Sequence, residues 1–225
     1  MSTARDNVLE RVRKALGKQG RDESGLGAAE AYIAAHAQGP RPALPEDLVE
    51  RFIGRAQDMD STVELIADRS EIPARVARYL EALQLPAALA AQKSHDGVCW
   101  PDLAALDWAR AGLRIEARAT TGGDRLGITG VFCAIAETGT IAILSGADAP
   151  TATTLLPDTH VAVVPADRIV AGMEDAFALI RRERGALPRA MNLISGPSRT
   201  GDIEQTIVLG AHGPYRVHIL VVSNR

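Results

Sequence analysis

The chain has 225 residues, of which 46% are hydrophobic and 24% charged, with a net charge of −3. These proportions are typical of a globular protein with one good-sized core, and the slightly negative charge argues against binding of nucleic acid or membranes through a basic surface. Since we find neither a signal peptide nor a membrane-length apolar run, we expect a cytoplasmic protein with no membrane span.

The first part of the chain has a helical pattern interrupted by a linker. Apolar residues on one face predict an amphipathic helix over 4–16. The Gly-, Ala- and charge-rich stretch 17–45 is typical of a linker and contains one short predicted helix at 28–37. A further helix is predicted to begin near Pro45. We interpret residues 1–60 as an N-terminal helical arm and linker, which either packs on the main domain or docks on another subunit.

Strands and helices alternate through the rest of the chain. Predicted strands are 62–66, 87–91, 113–117, 131–136, 140–144, 160–164, 190–194, 206–209 and 216–222, and predicted helices are 72–83, 102–111, 169–183 and 199–205. This alternation favours a three-layer α/β domain with a largely parallel sheet over 61–225. The short turn between 131–136 and 140–144 favours an antiparallel pair, so we expect the sheet to be mixed.

One turn has the composition of an anion site. The stretch 194–204 reads Ile-Ser-Gly-Pro-Ser-Arg-Thr-Gly-Asp-Ile-Glu and follows an apolar predicted strand. Gly196 ends that strand, and Ser198 and Thr200 suit helix caps. A turn from a strand into a helix presents free N–H groups to a carboxylate or phosphate, and Arg199 adds a guanidinium. Helix capping alone would explain the same residues.

Two further side chains are candidates for chemistry. Glu137 directly follows an apolar predicted strand, and a partly desolvated carboxylate at a strand end can act as acid, base or nucleophile. The alternative is that it bonds the backbone of its own turn. His212 lies between glycines in a predicted loop, where an imidazole can bind or protonate an anionic substrate or form a structural hydrogen bond.

Cofactor motifs are not found in the sequence. Cys99 and Cys133 are far apart, and an iron–sulfur cluster normally takes four thiolates. No spacing of His, Cys or carboxylates matches a dedicated metal site. The glycine-rich stretch 122–127 fits neither a dinucleotide-binding fingerprint nor a Walker loop. We therefore expect neither a metal nor a cofactor in this chain.

Three stretches resemble the lactate utilization protein C family, and they occur in the family's order. They are Gly-Ile-Thr-Gly at 127–130 running on to Ala-Glu-Thr-Gly-Thr at 136–140, Ser-Gly-Pro-Ser-Arg-Thr-Gly-Asp-Ile-Glu at 195–204, and Gly-Ala-His-Gly-Pro at 210–214. The resemblance is specific from about Gly122 onward. It implies a component of a bacterial L-lactate utilization system, which oxidises lactate to pyruvate together with iron–sulfur partner proteins. It also implies the fold of the group containing ribose-5-phosphate isomerases, glucosamine-6-phosphate deaminases, CoA transferases and formyltetrahydrofolate cyclo-ligases.

With this resemblance we expect Glu137 and His212 as candidate catalytic residues. The expected contacts to a small anionic metabolite come from Thr138, Gly139, Ser195, Gly196, Ser198, Arg199 and Thr200. Because ligands of parallel sheets bind beyond the carboxyl ends of the strands, we expect these groups to converge there. Two alternatives remain: a free-standing enzyme acting on a phosphorylated or folate-like metabolite, and a non-catalytic scaffold.

Overall fold

The computed structural model describes residues 3–17, 23–43, 45–83, 95–203 and 206–223. The chain divides into two compact units, Met1–Arg41 and Pro42–Arg225. The smaller unit contains helices α1 (Ala4–Ala15) and α2 (Glu23–Ala35). The hydroxyl of Thr3 accepts a hydrogen bond from the Asp6 N–H at 3.3 Å and caps α1, which buries none of its residues.

The described part of the larger unit contains three helices and twelve strands. The helices are α3 (Leu48–Asp58), α4 (Ile72–Ala82) and α5 (Met173–Arg184). The strands are β1 (Thr62–Ile66), β2 (Asp96–Cys99), β3 (Arg114–Ala117), β4 (Leu126–Thr129), β5 (Cys133–Ile135), β6 (Thr140–Leu144), β7 (Thr159–Pro165), β8 (Ile169–Val170), β9 (Met191–Ile194), β10 (Arg199–Ile203), β11 (Thr206–Leu209) and β12 (Arg216–Val222).

The strands form two sheets and a separate hairpin. Six strands make a parallel sheet in the order β1-β12-β7-β4-β2-β3. A second sheet has the order β8-β5-β6-β9, in which β6 is antiparallel to both of its neighbours. Strands β10 and β11 form an antiparallel hairpin. The α/β class with a largely parallel sheet is confirmed, and the antiparallel pair predicted from its short turn belongs to the second sheet.

Alternation along β7 divides the core between the two faces of the parallel sheet. Val161 and Val163 pack on the α4 side, and Ala162 and Val164 pack on the α3 side with Phe52. This is the period of two expected of a strand buried on both faces. The second sheet shares the α3 side, and α5 covers its outer face. The three predicted layers are therefore extended by a second sheet and its own helix.

Helix α3 belongs to the larger unit, which moves the predicted boundary at residue 60 to Pro42. The carboxylate of Asp47 accepts hydrogen bonds from the N–H groups of Val49 and Glu50, both at 2.9 Å, so α3 begins after this cap, at Leu48, a few residues after Pro45. Its residues Phe52 and Ala56 are fully buried. The boundary moves because the apolar face of α3 completes the core on its side of the parallel sheet.

Several predicted elements differ in detail. The helix predicted at 102–111 is two short 3-10 turns, because the indole of Trp108 donates to Leu103 O at 3.0 Å and Gly112 adopts a left-handed conformation. Strands β2 and β4 occupy positions where none was predicted. The strand predicted at 87–91 lies outside the described residues.

The helix predicted at 199–205 is wrong, because residues Arg199–Ile203 form strand β10 instead. Arg199 and Thr200 pair across the hairpin with Leu209 and Val208. The apolar stretch 206–209, itself predicted to be a strand, supplies the partner for this pairing. The polar residues that suit a helix start are therefore held in the backbone hydrogen-bond ladder between β10 and β11.

Candidate functional site

The predicted anion turn packs against the end of α3. Gly196 has φ +77°, and a Cβ at this position would lie 1.9 Å from Met59 O. Only glycine allows this conformation together with such a close approach. The N–H of Ser198 donates to Pro214 O at 2.9 Å, and the N–H of Gly210 donates to Ser198 O at 2.8 Å. With β10 following, the turn leads into no helix N-terminus for an anion.

The guanidinium of Arg199 is engaged by its own chain. Its Nη2 lies 2.8 Å from Met59 O and 2.8 Å from the carboxylate of Asp60. Asp60 has φ +62° in the turn between α3 and β1. Arg199 therefore fastens the β10–β11 hairpin to this turn. This structural role is the alternative to anion binding.

Three hydroxyls form a continuous chain beside this turn. Thr138 and Thr140 approach each other at 2.7 Å between their Oγ1 atoms, and Thr140 Oγ1 lies 2.7 Å from Ser195 Oγ. Gly139, with φ +68°, lies so close to Ala56 that a Cβ there would be 2.3 Å from the Ala56 nitrogen. The structure thus brings together Thr138, Gly139 and Ser195 from the predicted set.

The two candidate catalytic side chains lie in different surroundings. Glu137 is half-buried, and its carboxylate lies beside Gly172, the N-cap of α5, where a helix favours negative charge. His212 is exposed, and its backbone N–H donates to Ser198 Oγ at 3.3 Å. Among the described residues, no hydrogen bond joins Glu137 or the hydroxyl chain to Ser198 or His212.

These predicted site residues lie at the amino edge of the parallel sheet. Gly139 and Gly196 contact the end of α3, which leads into the amino end of β1, and Ser198 bonds Pro214, just before β12. Thr200 is buried, with 8% of its surface exposed. The group therefore lies beyond the carboxyl ends of β5 and β9 of the second sheet, and not beyond the carboxyl ends of the parallel strands as expected.

The carboxyl edge of the parallel sheet instead borders a cavity with two adjoining lobes. The first, called the arginine lobe, has a volume of about 450 Å³ and is lined by Arg69, Trp100, Val131, Phe132, Leu144, Ala149, Pro165, Arg168, Glu183, Arg184 and Val222. The second, called the turn lobe, has about 470 Å³ and adds Asp102, Gly130, the turn 145–149, Ala186 and Pro188. Strands β1, β2, β4, β7 and β12 all end near these residues.

The two lobes differ in their balance of positively and negatively charged side chains. In the arginine lobe, Arg168 bonds Glu183 through both terminal nitrogens, at 2.7 and 3.0 Å, and this contact lowers the pKa of Glu183. Arg168 also donates from Nε to Phe132 O at 2.8 Å. Arg69 lies 3.6 Å from the carboxylate of Asp102. Three guanidinium groups thus meet one carboxylate in the arginine lobe.

Arg184 is the cation of the arginine lobe that the protein leaves available. Its guanidinium lies 5.9 Å from the centroid of the Phe132 ring, and it makes no hydrogen bond or ion pair with the described residues. In the turn lobe, exposed Asp148 has no such partner within the described ranges either. The cavity therefore presents one available cation and one available anion.

Sequence reasoning did not single out Arg69, Arg168, Arg184 or Trp100. Arg69 follows the last residue of β1, Ile66, by three positions, and Arg168 follows the last residue of β7, Pro165, by three. The rule that ligands bind beyond strand ends contains this signal. It becomes usable only when the strands that lie side by side are known.

Both cysteines are buried thiols. Burial raises the pKa of Cys99 and of Cys133 to about 11, so both are protonated near neutral pH. Within the ranges that the structure describes, no group of three or more His, Cys, Asp or Glu side chains is arranged to hold a metal ion. The same ranges contain no helix that is both long and apolar enough to span a membrane.

Comparison with known proteins identifies similar chains. The model of the LUD domain family matches residues 49–222. A protein of Bacillus licheniformis and one of Bacillus subtilis, both named lactate utilization protein C, are 36% and 38% identical to this chain over 103 residues. Each alignment covers 44% of this chain and 43% of the relative, so less than half of each relative is matched.

A solved structure shows the same fold. The crystal structure of a DUF162 family protein from Deinococcus radiodurans superposes with a TM-score of 0.56 and 23% sequence identity. The match covers 81% of this chain and all of the other.

Proposed function

The chain belongs to the LUD domain family, and on that premise we propose that it is a component of a bacterial L-lactate utilization system. The observation that carries the proposal is the similarity, at 36% and 38% identity, to two proteins named lactate utilization protein C. The family match over residues 49–222 supports it, because it extends over nearly the whole larger unit.

The proposed division of labour places electron transfer in partner subunits. Oxidation of lactate to pyruvate releases two electrons and two protons, and we assign the electrons to iron–sulfur partner proteins. Cys99 and Cys133 are buried and protonated near neutral pH, which supports a structural role for these thiols. This chain then binds a small anion or supports the assembly.

The hydroxyl chain with Glu137 and His212 is the proposed contact surface for lactate or pyruvate. The three hydroxyls have three protons and use two of them between themselves, so one end of the chain, Thr138 or Ser195, can donate to a carboxylate. The Glu137 carboxylate and the His212 ring make no hydrogen bond with the described residues, so both are available for proton transfer. Their position at the amino edge distinguishes this surface from the cavity at the opposite edge.

Growth of a deletion strain tests the proposal. Removing the gene from its native bacterium should abolish growth on L-lactate and leave growth on pyruvate unchanged, because pyruvate enters metabolism after the proposed step. A plasmid copy should restore growth. Normal growth of the deletion strain on L-lactate would contradict the proposal.

A free-standing enzyme is the second candidate, and the cavity volume favours it. A space of about 450 Å³ suits a ligand larger than lactate, such as a phosphorylated or folate-like metabolite. Purification of the tagged chain from lactate-grown cells distinguishes the two. The first function predicts co-purification of partners that contain iron and sulfide, and the second predicts a chain without partners whose loss affects another carbon or one-carbon source. A pure scaffold predicts the partners but no ligand.

A further inference from the structure

We infer that the cavity at the carboxyl edge binds an organic anion with an apolar, ring-sized body, and that the anionic group lies in the arginine lobe against Arg184. This goes beyond the first proposed function, which concerns a smaller anion at the opposite edge of the sheet, and it specifies a ligand chemistry for the cavity that supports the second candidate. The two hypotheses stand or fall independently, because one concerns a ligand of the isolated chain and the other a growth phenotype.

The charge distribution selects an anion for the arginine lobe. Glu183 is hydrogen-bonded there to the guanidinium of Arg168 through a two-pronged contact, and it interacts with Arg184 only electrostatically, without a hydrogen bond. Arg69 is drawn toward Asp102 on the side of the turn lobe. Arg184 lines both lobes and is not paired by a described residue. A carboxylate or phosphate bound in this lobe would give Arg184 a charge-assisted hydrogen bond.

The walls select an apolar body for the ligand. Trp100 and Phe132 line the arginine lobe together with aliphatic side chains, and their exposed fractions are 7% and 8%. The indole N–H of Trp100 is directed to Pro150 O at 3.4 Å, while the carbocyclic part of its ring lies about 4 Å from where a Cβ on Gly130 would stand. The apolar part of the indole thus adjoins the cavity, where aromatic walls favour a flat apolar group.

The turn lobe determines the orientation of the ligand. Its charged residues are Asp102, Asp148 and Arg184, so an anionic group there would meet two carboxylates. The apolar body therefore extends toward the turn 145–149, where the available carboxylate of Asp148 can accept a hydrogen bond from a ligand hydroxyl or amine. Each lobe alone is large enough for a ring system, whereas lactate would leave most of this space unfilled.

Titration calorimetry with matched probes tests the inference on the full chain. The probes are 2-naphthoate, 2-naphthyl phosphate, the neutral 2-naphthalenemethanol, and L-lactate. We expect one saturable site for the two naphthyl anions, with the stronger of them identifying the anionic group. The neutral analogue and lactate should bind at least about tenfold more weakly, since one lacks the charge and the other the apolar body.

Three variants locate the probe. Arg184→Ala should weaken binding of the naphthyl anions about tenfold, whereas Arg182→Ala, an exposed arginine of the same helix that does not line the cavity, should leave it unchanged. Ala149→Trp, at a residue that lines both lobes, should block binding. Equal binding of the neutral analogue, no effect of Arg184→Ala, or no saturable binding below about 10 mM would each overturn the inference.

Discussion

At the scale of single residues, several polar side chains that suggest chemistry serve the structure. Arg199 fastens the β10–β11 hairpin to the turn after α3, and the Nε2 atom of buried His160 is hydrogen-bonded to the hydroxyl of Thr129 at 2.8 Å. The Nδ1 atom of His160 has no hydrogen-bond partner in the described part of the chain. The contribution of Arg199 depends on its contacts, and that of His160 depends on its remaining neutral. Both contributions can be measured as changes in the free energy of unfolding.

Arg199→Ala should lower stability and leave lactate binding unchanged. The substitution removes contacts to Met59 O and Asp60, and at a partly exposed site this should cost about 1–2 kcal/mol, a fall in melting temperature of about 2–8 °C. Thermal denaturation and titration calorimetry with lactate measure the two effects. Arg181→Ala, at an exposed position of α5, is the matched control. An intact melting temperature with weaker lactate binding would restore Arg199 to the anion site.

His160→Gln should reduce the loss of stability in mild acid. Burial lowers the pKa of His160 from 6.5 to about 4, so the unfolded chain takes up a proton between these values before the folded chain does. The stability that neutral His160 contributes is therefore fully present above about pH 6.5 and is lost as the pH falls toward 4. Between pH 7 and pH 5, the free energy of unfolding measured with urea should fall by about 2 kcal/mol less in the variant than in the unsubstituted protein. The exposed His95 gives the control His95→Gln, and an unchanged pH dependence in His160→Gln would refute the assignment.

At the scale of elements, close backbone contacts hold the amino edge together. The hairpin between β5 and β6 and the turn after β9 both press glycines against the last turn of α3. Two glycines, Gly139 and Gly196, have positive φ at these contacts. The motif residues that resemble the lactate utilization protein C family therefore include positions where the backbone itself requires glycine.

Gly196→Ala should be among the most damaging substitutions in the chain. It forces a residue with a Cβ into φ +77°, and the new atom meets Met59 O at 1.9 Å. Together these effects should cost about 2–5 kcal/mol, measured by urea denaturation. Gly123→Ala, with open space and no positive φ, should change stability by less than about 1 kcal/mol. Equal stability of the two variants would show that α3 and the turn are not in contact.

At the scale of the whole molecule, the two compact units differ in how their apolar surface is covered. The larger unit has three buried clusters of its own, formed with α3, α4 and α5. In α1, the residues Val8, Leu9 and Val12 remain exposed on one face. An amphipathic helix with an apolar face is suited to docking on a partner.

Deleting residues 1–41 should leave a folded chain that associates more weakly with the proposed partner subunits. The melting temperature should stay within about 2 °C, because each buried cluster lies within 42–225. Co-purification from lactate-grown cells measures association, and the full-length double variant Val8→Lys/Val12→Lys tests the apolar face without shortening the chain. Aggregation or unfolding of the truncated chain would show that the N-terminal unit belongs to the core.

The sequence by itself determined the α/β class, the family resemblance, and most elements whose pattern is local. Apolar runs predict strands such as β7 and β12 because a parallel strand is buried on both faces, and helical spacing predicts α1 and α4. The short turn at 137–139 predicts the antiparallel β5–β6 pair for the same local reason. Each of these patterns spans about ten residues, so it can be recognised without knowledge of the rest of the chain.

Only the tertiary structure decided which residues share an edge of the sheet. The Ser-Arg-Thr segment became a strand because Leu209 and Val208 supply its ladder, and Arg199 found Asp60 across the fold. The cavity combines Arg69 and Arg168, far apart in sequence, because the strand order places β1, β12 and β7 side by side. Pairing, strand order and the partner of each charge arise from contacts between distant segments, and no local pattern encodes them.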